Sequence, residues 1–522
     1  MHENREASLP AARKRSSPAG KGDSRETGTN GGEESDRAVV SMNQVNKATE
    51  QPAGAAELGE KRARTKENIG ETHTDPAQDG KLVSQGLAGV RKAARERKQE
   101  RFTTLLHHVT TDLLRASFRA LKKSAAPGVD GVRWREYEEG LEDRLTDLKD
   151  RIHRGAYRAQ ASKRIYLPKA DGRLRPIGIA ALEDKIVQHA VVTILNEIYE
   201  ADFRGFSYGF RPGRNPHQAL DALSVGIQRK RVNWILDADI RGFFDQMSHE
   251  WTMQFVQHRV ADQRILRLIQ KWLKAGVSED GEWSETKQGT PQGAVVSPLL
   301  ANVYLHHVVD LWVEAWRKKV AEGDVIVVRY ADDLVVGFEH RAEAERFLEE
   351  FQERLAKFGL ELHPDKTRLI EFGRLARRNR HARGEGEPES FAFLGFTHSC
   401  GTSSRGRFAI WRQTERKRLE AKLQQLKQTL RARMHEQVPK VGEWLGRVLR
   451  GFYQYHAVPG NWASLSRFRE RIGRYWGHVL KRRSQRNRLN ADRAARLFNR
   501  WLPRPRLVHP YPDVRFAARY PR

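Results

Sequence analysis

Two apolar segments that end in clustered aspartates constrain the fold of this chain more than any other feature. Residues 234–245 read WILDADIRGFFD, so an apolar strand delivers carboxylates at its end. Residues 325–338 read VIVVRYADDLVVGF, in which two β-prone runs flank the adjacent pair Asp332 and Asp333. A short turn between two such runs predicts a β-hairpin that presents both carboxylates at its tip.

Carboxylates at the ends of apolar strands predict a metal site. An Asp-Asp pair is most often only a solvated turn, but buried strands do not tolerate clustered negative charge without a cation that neutralises it. Carboxylates from two strands suit Mg²⁺, which prefers oxygen ligands and substrate phosphates. Two such ions can activate an attacking hydroxyl and stabilise the leaving oxygen in phosphoryl transfer.

The positive charge of the chain is concentrated near its C-terminus. The 522 residues carry 94 Lys and Arg against 66 Asp and Glu, a net charge of +28, which indicates a polyanionic partner. Residues 401–522 hold 30 basic and 7 acidic side chains, net +23, whereas residues 81–400 hold 52 and 45. A nucleic-acid-binding appendage after a nearly balanced body is therefore predicted, and such a protein would process or copy nucleic acid at its carboxylates.

Composition excludes several other classes of protein. The single cysteine, Cys400, rules out a disulfide framework and any zinc site that needs paired thiolates. No run approaches the roughly 18 apolar residues of a membrane span, and residues 1–30 lack a signal-peptide core. We therefore expect a soluble, cytoplasmic protein with no membrane partner.

The residue pattern predicts three regions. Residues 1–80 contain no Phe, Trp or Tyr, so residues 1–90 are predicted to form a disordered N-terminal tail. Residues 91–400 mix helices, such as one over 99–122, with short β-hairpins, which predicts an α+β body. Helical spacing dominates after residue 401 and predicts an all-α domain over 401–522.

The segments around the aspartates resemble the palm of reverse transcriptases, most closely those encoded by group II introns. Tyr-Ala-Asp-Asp at 330–333, preceded by the strand that ends at Asp239, carries this resemblance. Six further segments agree in order, namely 166–179, 209–214, 289–299, 362–367, 393–396 and 449–455. The resemblance implies a right-hand polymerase, with fingers and palm over 91–400 followed by an all-α thumb and maturase domain over 401–522.

The resemblance assigns the chemistry to three aspartates. Asp239 precedes Ile-Arg-Gly-Phe-Phe-Asp and is therefore chosen over Asp237. Asp239 and Asp332 are implied to ligate two Mg²⁺ ions, and Asp333 completes the cluster. Ile240 is implied to offer its backbone carbonyl to a metal.

The resemblance also implies a site for the incoming deoxynucleotide. Lys169 and Arg175 match the cations that hold the triphosphate. Phe244 matches the aromatic residue that blocks a ribose 2′-hydroxyl. Gln292 and Gly293 match the amide and the close backbone that contact the nascent base pair.

Further residues match the family's leaving-group, primer and template contacts. Lys366 resembles the lysine proposed to protonate pyrophosphate, with a solvated loop lysine as the open alternative. Arg211 and Arg214 are predicted to touch the template backbone. The turn that grips the primer terminus is matched by Phe393, Leu394, Gly395 and Phe396, whose two phenylalanines could equally be core residues.

The basic C-terminal region is implied to bind the RNA of a group II intron and to assist its splicing. Aromatic residues between its arginines suit stacking on unpaired bases as well as helix packing. The RNA-binding candidates are Arg450, Lys481, Arg482, Arg483, Arg486 and Arg488. The lone cysteine further implies a member without the C-terminal endonuclease that many relatives carry.

Two alternatives stay open at this point. One is a related reverse transcriptase recruited elsewhere, for example in a retron, in phage defence, with CRISPR or in repair. The other is an RNA-binding splicing factor whose polymerase site is vestigial. The intact aspartates and the cations Lys169 and Arg175 argue against the second alternative.

Overall fold

The computed structural model describes residues 76–168, 174–403, 405–483 and 489–519. Several predictions concern residues outside these ranges. They are the predicted tail up to residue 75, the triphosphate-binding candidate Lys169, and the RNA-binding candidates Arg486 and Arg488.

Helices make up most of the described chain. They are α1 (Pro76–Glu96), α2 (Thr111–Ala120), α3 (Trp134–Glu138), α4 (Leu141–His153), α5 (Leu182–Tyr199), α6 (Pro216–Arg229), α7 (Phe243–Gln246), α8 (His249–Gln257), α9 (Gln263–Lys274), α10 (Ser297–Leu305), α11 (Leu311–Lys319), α12 (Arg341–Ala356), α13 (Ala376–Ala382), α14 (Arg416–Ala432), α15 (Val438–His456), α16 (Trp462–Arg482), α17 (Ala491–Trp501) and α18 (Pro512–Arg519). Within the described ranges, no helix is both long enough and apolar enough to cross a membrane.

The N-terminal boundaries differ from the sequence predictions. The end predicted for the tail, residue 90, is wrong, because α1 places Leu87, Val90 and Ala94 at helical spacing and buries them, with α2 and α5 as its neighbours. A continuous helix over 99–122 is also wrong. Thr110 adopts an extended conformation and its hydroxyl caps the first turn of α2, so the helix begins only there.

Three sheets contain the strands of the described residues. These are β1 (Ser162–Pro168), β2 (Leu174–Ile179), β3 (Trp234–Asp239), β4 (Val277–Glu279), β5 (Glu282–Ser284), β6 (Val325–Tyr330), β7 (Asp333–Phe338), β8 (Arg368–Glu371), β9 (Phe391–Phe393), β10 (Phe396–Thr402) and β11 (Phe408–Thr414). The first sheet has the order β2–β1–β4–β5. Its antiparallel pair β1 and β2 agrees with the short β-hairpins predicted within residues 91–400.

The second sheet carries the predicted metal site and has the order β6–β7–β3–β8. β6 and β7 form the predicted hairpin, in which Tyr330 pairs with Asp333. Helices α6 and α12 contact this sheet, and Leu236 and Val335 between them are fully buried. Mixed helices and sheets confirm the α+β prediction.

The third sheet, of order β11–β10–β9, crosses the boundary predicted at residue 401. Residues 408–414, predicted to begin the all-α domain, form β11 instead. Along β11 the buried side chains Ile410, Arg412 and Thr414 alternate with exposed ones, which is the period of a strand. The helical region begins with α14, and its own apolar core includes Leu423, joining α14 to α15 and α16.

Candidate active site

The two aspartate-bearing segments meet at one end of the second sheet. The register of β3 on β7 places Asp239 directly opposite Asp333, and Asp332 stands beside them in the turn between β6 and β7. Ala331, the other residue of that turn, has a φ of +56°, which costs energy for a residue other than glycine. Strand register and one strained turn thus bring the three carboxylates together.

The three carboxylates lie close enough for their charges to interact. Burial raises the pKa of Asp332, and the charge of Asp239 adds to the rise. The pKa of Asp333 rises to about 8, first through desolvation by the surrounding protein, although its side chain keeps an exposed edge, and then through repulsion by Asp332 and Asp239. Carboxylates that hold protons so tightly are stabilised in their charged form when a cation shares the site.

Lys366 supplies a positive charge to this cluster. Its ammonium group donates a hydrogen bond to Asp239 Oδ2 at 2.7 Å. The loop that carries it is fixed to the end of β3, because the His363 amide donates to the Asp239 carbonyl at 2.8 Å. The structure therefore brings Lys366 to the predicted catalytic residues.

The oxygen donors of the cluster fit a divalent cation whose ligand shell is completed by substrate. Within the part of the chain that the structure describes, no group of three or more His, Cys, Asp or Glu side chains is arranged to hold an ion alone. Asp239, Asp332 and Asp333 nevertheless offer hard oxygen ligands, which Mg²⁺ combines with water and phosphate. The β-bridge between Ile240 and Leu362 is formed by the Asp239 carbonyl and the Arg241 amide. The Ile240 carbonyl takes no part in these two hydrogen bonds.

Arg175 reaches the site from the first sheet. It lies on β2 opposite Leu167, and its charge, like that of Lys366, opposes the rise in the pKa of Asp332. One of the two predicted triphosphate-binding cations is therefore close to the carboxylates. The other, Lys169, lies outside the described residues.

One loop ties the first sheet to the backbone of Phe244. The Thr290 amide donates to the Phe244 carbonyl at 2.8 Å, and the Gly178 amide on β2 donates to the Gln292 carbonyl at 2.7 Å. Gly293 has a φ of +110°, and a Cβ atom there would lie 2.8 Å from the Gly178 carbonyl oxygen, so glycine is required. The structure thus groups the predicted nucleotide-binding residues Phe244, Gln292 and Gly293 with β2.

The two predicted template contacts, Arg211 and Arg214, have different surroundings. Arg211 is only 3% exposed and donates to both carboxylate oxygens of Glu200 and to the carbonyls of Arg204 and Ser207. The prediction that Arg211 contacts the template is therefore wrong, because its guanidinium is used to hold its own loop. Arg214 is half-buried and stays a candidate.

A buried ion pair below the β6–β7 turn was not predicted. Arg329, at 1% exposure, donates to the two carboxylate oxygens of the fully buried Asp310 at 2.7 and 2.6 Å. It also donates to Ser207 Oγ at 2.7 Å and to the Ala331 carbonyl at 2.9 Å. Asp310 ends the π-helical turn His306–Asp310 that follows α10. A lone arginine inside an apolar strand was the available sequence signal.

Gly209 supports the same turn from its other side. A Cβ atom on Gly209 would lie 2.3 Å from the Ala331 amide nitrogen, so a side chain cannot be accommodated without moving the turn. Asn302 on α10 donates to the Gly209 carbonyl at 2.7 Å. Gly209 therefore acts structurally, as a support for the aspartate turn.

The predicted primer-terminus segment forms the tight turn between β9 and β10. Leu394 and Gly395 have φ values of +49° and +76°, and Phe393 and Phe396 on either side are buried. Both phenylalanines therefore pack into the core, which is the alternative to primer contact that the sequence left open for their side chains. A contact with a primer would involve the backbone of the turn and the half-buried Leu394.

The described RNA-binding candidates lie on the helical region. Arg450, Lys481 and Arg482 are exposed, and Arg483 is half-buried. Arg482 also lines a groove of about 770 Å³ between the C-terminal ends of α14 and α16. The groove is lined by Lys427, Arg431, Met434, Tyr475, His478, Val479 and Arg482.

Comparisons with known proteins agree with this site. A family model described as reverse transcriptase (RNA-dependent DNA polymerase) matches residues 167–398. Protein YkfC of Escherichia coli (strain K12) is 34% identical over 280 residues, which cover 48% of this chain and 73% of that protein. Group II intron-encoded protein LtrA of Lactococcus lactis is 33% identical over 222 residues, 42% of this chain and 37% of LtrA. Nuclear intron maturase 1 of Arabidopsis thaliana is 32% identical over 92 residues, which cover 18% of this chain and 13% of that protein.

Strand register, carboxylates and relatives together define an RNA-directed DNA polymerase, a class that uses divalent metal ions. The chain belongs to the reverse transcriptase family, and its relatives include a group II intron-encoded protein and a nuclear intron maturase. The family and enzyme class predicted from the motifs are confirmed, and no finding favours either alternative.

Proposed function

We propose that this chain copies group II intron RNA into DNA from a primer and assists the splicing of that RNA. The convergence of Asp239, Asp332 and Asp333 at the ends of β3 and β7 carries the polymerase part of the proposal. The helical region supports the RNA-binding part, because residues 401–522 carry a net charge of +23. The fingers and palm would be residues 76–414 and the thumb and maturase region residues 415–519.

The three aspartates would hold two Mg²⁺ ions. The ions would polarise the primer hydroxyl and the phosphate oxygens when bound. Asp239 already has a cationic partner at 2.7 Å in Lys366, so its carboxylate is oriented toward positive charge. Ile240 would add its backbone carbonyl to the ligand set.

The cations and the loop around the aspartates would bind the nucleotide. Arg175, with Lys169, would hold the triphosphate, and Lys366 would release a proton from Nζ to the departing pyrophosphate. The Phe244 ring is 8% exposed and lies edge-on to Phe243 at 5.4 Å. A ring held in this way would exclude the 2′-hydroxyl of a ribonucleotide. Gln292 would contact the nascent base pair.

The groove between α14 and α16 would bind RNA backbone and an unpaired base. The described ion pairs on these helices use other cations, such as Arg433 and Arg471, and leave Lys427, Arg431 and Arg482 without acidic partners among the described residues. Tyr475 lines the same groove, and the Lys427 ammonium lies 5.7 Å from the centroid of its ring; a bound base would have to displace that ammonium to stack there. The groove thus combines a cationic rim with an aromatic wall.

Neutralising the groove should reduce the salt dependence of RNA binding. We expect the variant Lys427→Gln/Arg431→Gln/Arg482→Gln to lower the slope of log K against log [salt] by about 2, since each single-strand phosphate contact contributes about 0.7. Filter binding of intron RNA across a salt series measures this. Arg135→Gln/Arg267→Gln/Lys274→Gln removes the same charge from exposed positions elsewhere and should leave the slope nearly unchanged. Equal slopes for the two variants would remove the groove from the RNA interface.

Splicing and copying of one precursor RNA test the function as a whole. We expect the protein to accelerate splicing of its intron at low Mg²⁺ and to produce intron cDNA from an annealed primer. The groove variant should lose splicing, whereas Asp332→Asn should lose only cDNA. Copying without any effect on splicing would point instead to a reverse transcriptase recruited for another task.

A further inference from the structure

The helical region contacts the turn at Leu394 through one tyrosine. Tyr455, on the last turn of α15, donates a hydrogen bond from its hydroxyl to the Leu394 carbonyl at 3.0 Å. Its ring also stacks on Phe396 at 5.7 Å. Leu394 holds a φ of +49°, which a leucine adopts only when its surroundings impose it. The Tyr455 hydroxyl is therefore well placed to hold this strained turn.

Tyr455 is fixed in turn by two histidines. His217 on α6 donates from Nε2 to the Tyr455 carbonyl at 2.8 Å, and the two rings meet edge to face at 5.0 Å. His509 stacks on His217 at 3.7 Å and donates from Nε2 to the Gln454 carbonyl at 2.7 Å. The end of α15 is thus held between α6, which packs on the second sheet, and the C-terminal segment 508–515, which contains His509.

The C-terminal segment is anchored to the same helix by ion pairs. Arg515 on α18 lies 3.2 Å from Asp221 on α6, and Arg412 on β11 lies 2.9 Å from the same carboxylate. Asp513 pairs with Arg229 at the end of α6 at 3.0 Å. Asp221 is nearly fully buried, so this is an internal joint between α6, β11 and α18.

We infer that Tyr455 is a positioning residue for DNA synthesis: its hydroxyl holds the Leu394–Gly395 turn, and residues 508–515 brace the helix that carries it. The inference rests on the proposed role of that turn at the primer terminus. The Gly395 carbonyl is held separately, by the Glu415 amide at 3.1 Å. Loss of the Tyr455 bond would thus loosen one peptide of the turn and leave its neighbour in place.

The test compares Tyr455→Phe with a matched variant of the same helix. Tyr453 also donates its hydroxyl to a backbone carbonyl, that of Pro503 at 3.1 Å, away from the turn. We expect Tyr455→Phe to raise the KM for an annealed DNA primer on an RNA template by about five-fold and to shorten single-encounter products. That is the size of one lost neutral hydrogen bond. The kcat should stay within about two-fold.

Tyr453→Phe should give the same change in thermal unfolding and a wild-type KM. If both variants keep the wild-type primer KM and product length, or if both change them equally, Tyr455 has no positioning role. A wild-type protein that extends no primer at all would instead contradict the proposed function.

Discussion

Asp310→Asn will lower the free energy of unfolding by about 3–5 kcal/mol, because it leaves Arg329 as a buried cation without its counter-ion. Arg329 is 1% exposed and directs two of its hydrogen bonds to Asp310. Asparagine keeps the size of the side chain and can accept one of these bonds, but it cannot neutralise the charge. Urea denaturation of the two proteins measures the loss.

A surface ion pair provides the control for this prediction. Arg341 and Glu345 pair at 2.8 Å on α12 with about half of each side chain or more exposed. Glu345→Gln should therefore cost less than about 1 kcal/mol. If Asp310→Asn is as mild as Glu345→Gln, then Arg329 and Asp310 do not stabilise the fold as their burial implies.

Asp310→Asn should also reduce DNA synthesis at temperatures at which the variant is still folded. Arg329 donates to the Ala331 carbonyl in the aspartate turn at 2.9 Å, and Ala331 has the strained φ of +56°. Without the charge of Asp310, the Arg329 guanidinium would be more stable in contact with water, and it would move away from the Ala331 carbonyl. Activity at 20 °C, measured where the variant is still folded, separates this effect from unfolding.

Asp332→Asn will reduce RNA-templated DNA synthesis by a factor on the order of 10³ or more, because it removes a metal-binding charge from the transition state. The same change should not destabilise the metal-free protein. Burial and Asp239 raise the pKa of Asp332 in the folded state, so ionised Asp332 costs stability at any pH above its unfolded pKa. A neutral amide removes that cost.

Asp237→Asn is the matched control for Asp332→Asn. Asp237 lies two residues before Asp239 on β3 and is also half-buried, and burial raises its pKa to about 6. Its register partners are Val335 and Arg368, away from the turn, so its replacement should change activity only a few-fold. A large loss from Asp237→Asn together with an active Asp332→Asn would reverse the choice made between the aspartates of β3.

The strands and their carboxylates could be predicted from sequence because local patterns determine them. Alternating or continuous apolar runs specify strands, and the two-residue turn sets the register of the hairpin. Once β3 and β7 are antiparallel neighbours, Asp239 at the end of β3 can lie opposite Asp333 at the start of β7. The fold class was predictable for the same reason, whereas the grouping of Lys366 with the aspartates was implied only by the family resemblance.

The contacts that the sequence did not reveal depend on tertiary structure. Arg211 lies in a Gly- and Pro-rich loop and was predicted to contact the template backbone, but its guanidinium pairs with Glu200 at the end of α5. Asp310 lies at the end of a π-helical turn and meets Arg329 of β6 through a tertiary contact. Residues of β11 were predicted to be helical because their only local strand signal is a two-residue alternation within seven residues. Their pairing with β10 is a tertiary contact that the sequence pattern does not show.

Extension of a DNA primer on an RNA template by the purified chain, with deoxynucleotides and Mg²⁺, is the most direct test of the assignment of chemistry to the three aspartates. The assay compares wild type with Asp239→Asn and Asp332→Asn, and repeats each with a chelator. We expect full-length cDNA from wild type, none from either variant, and none after chelation. Synthesis by either aspartate variant at the wild-type rate, or by wild type in the absence of divalent metal, would contradict the account.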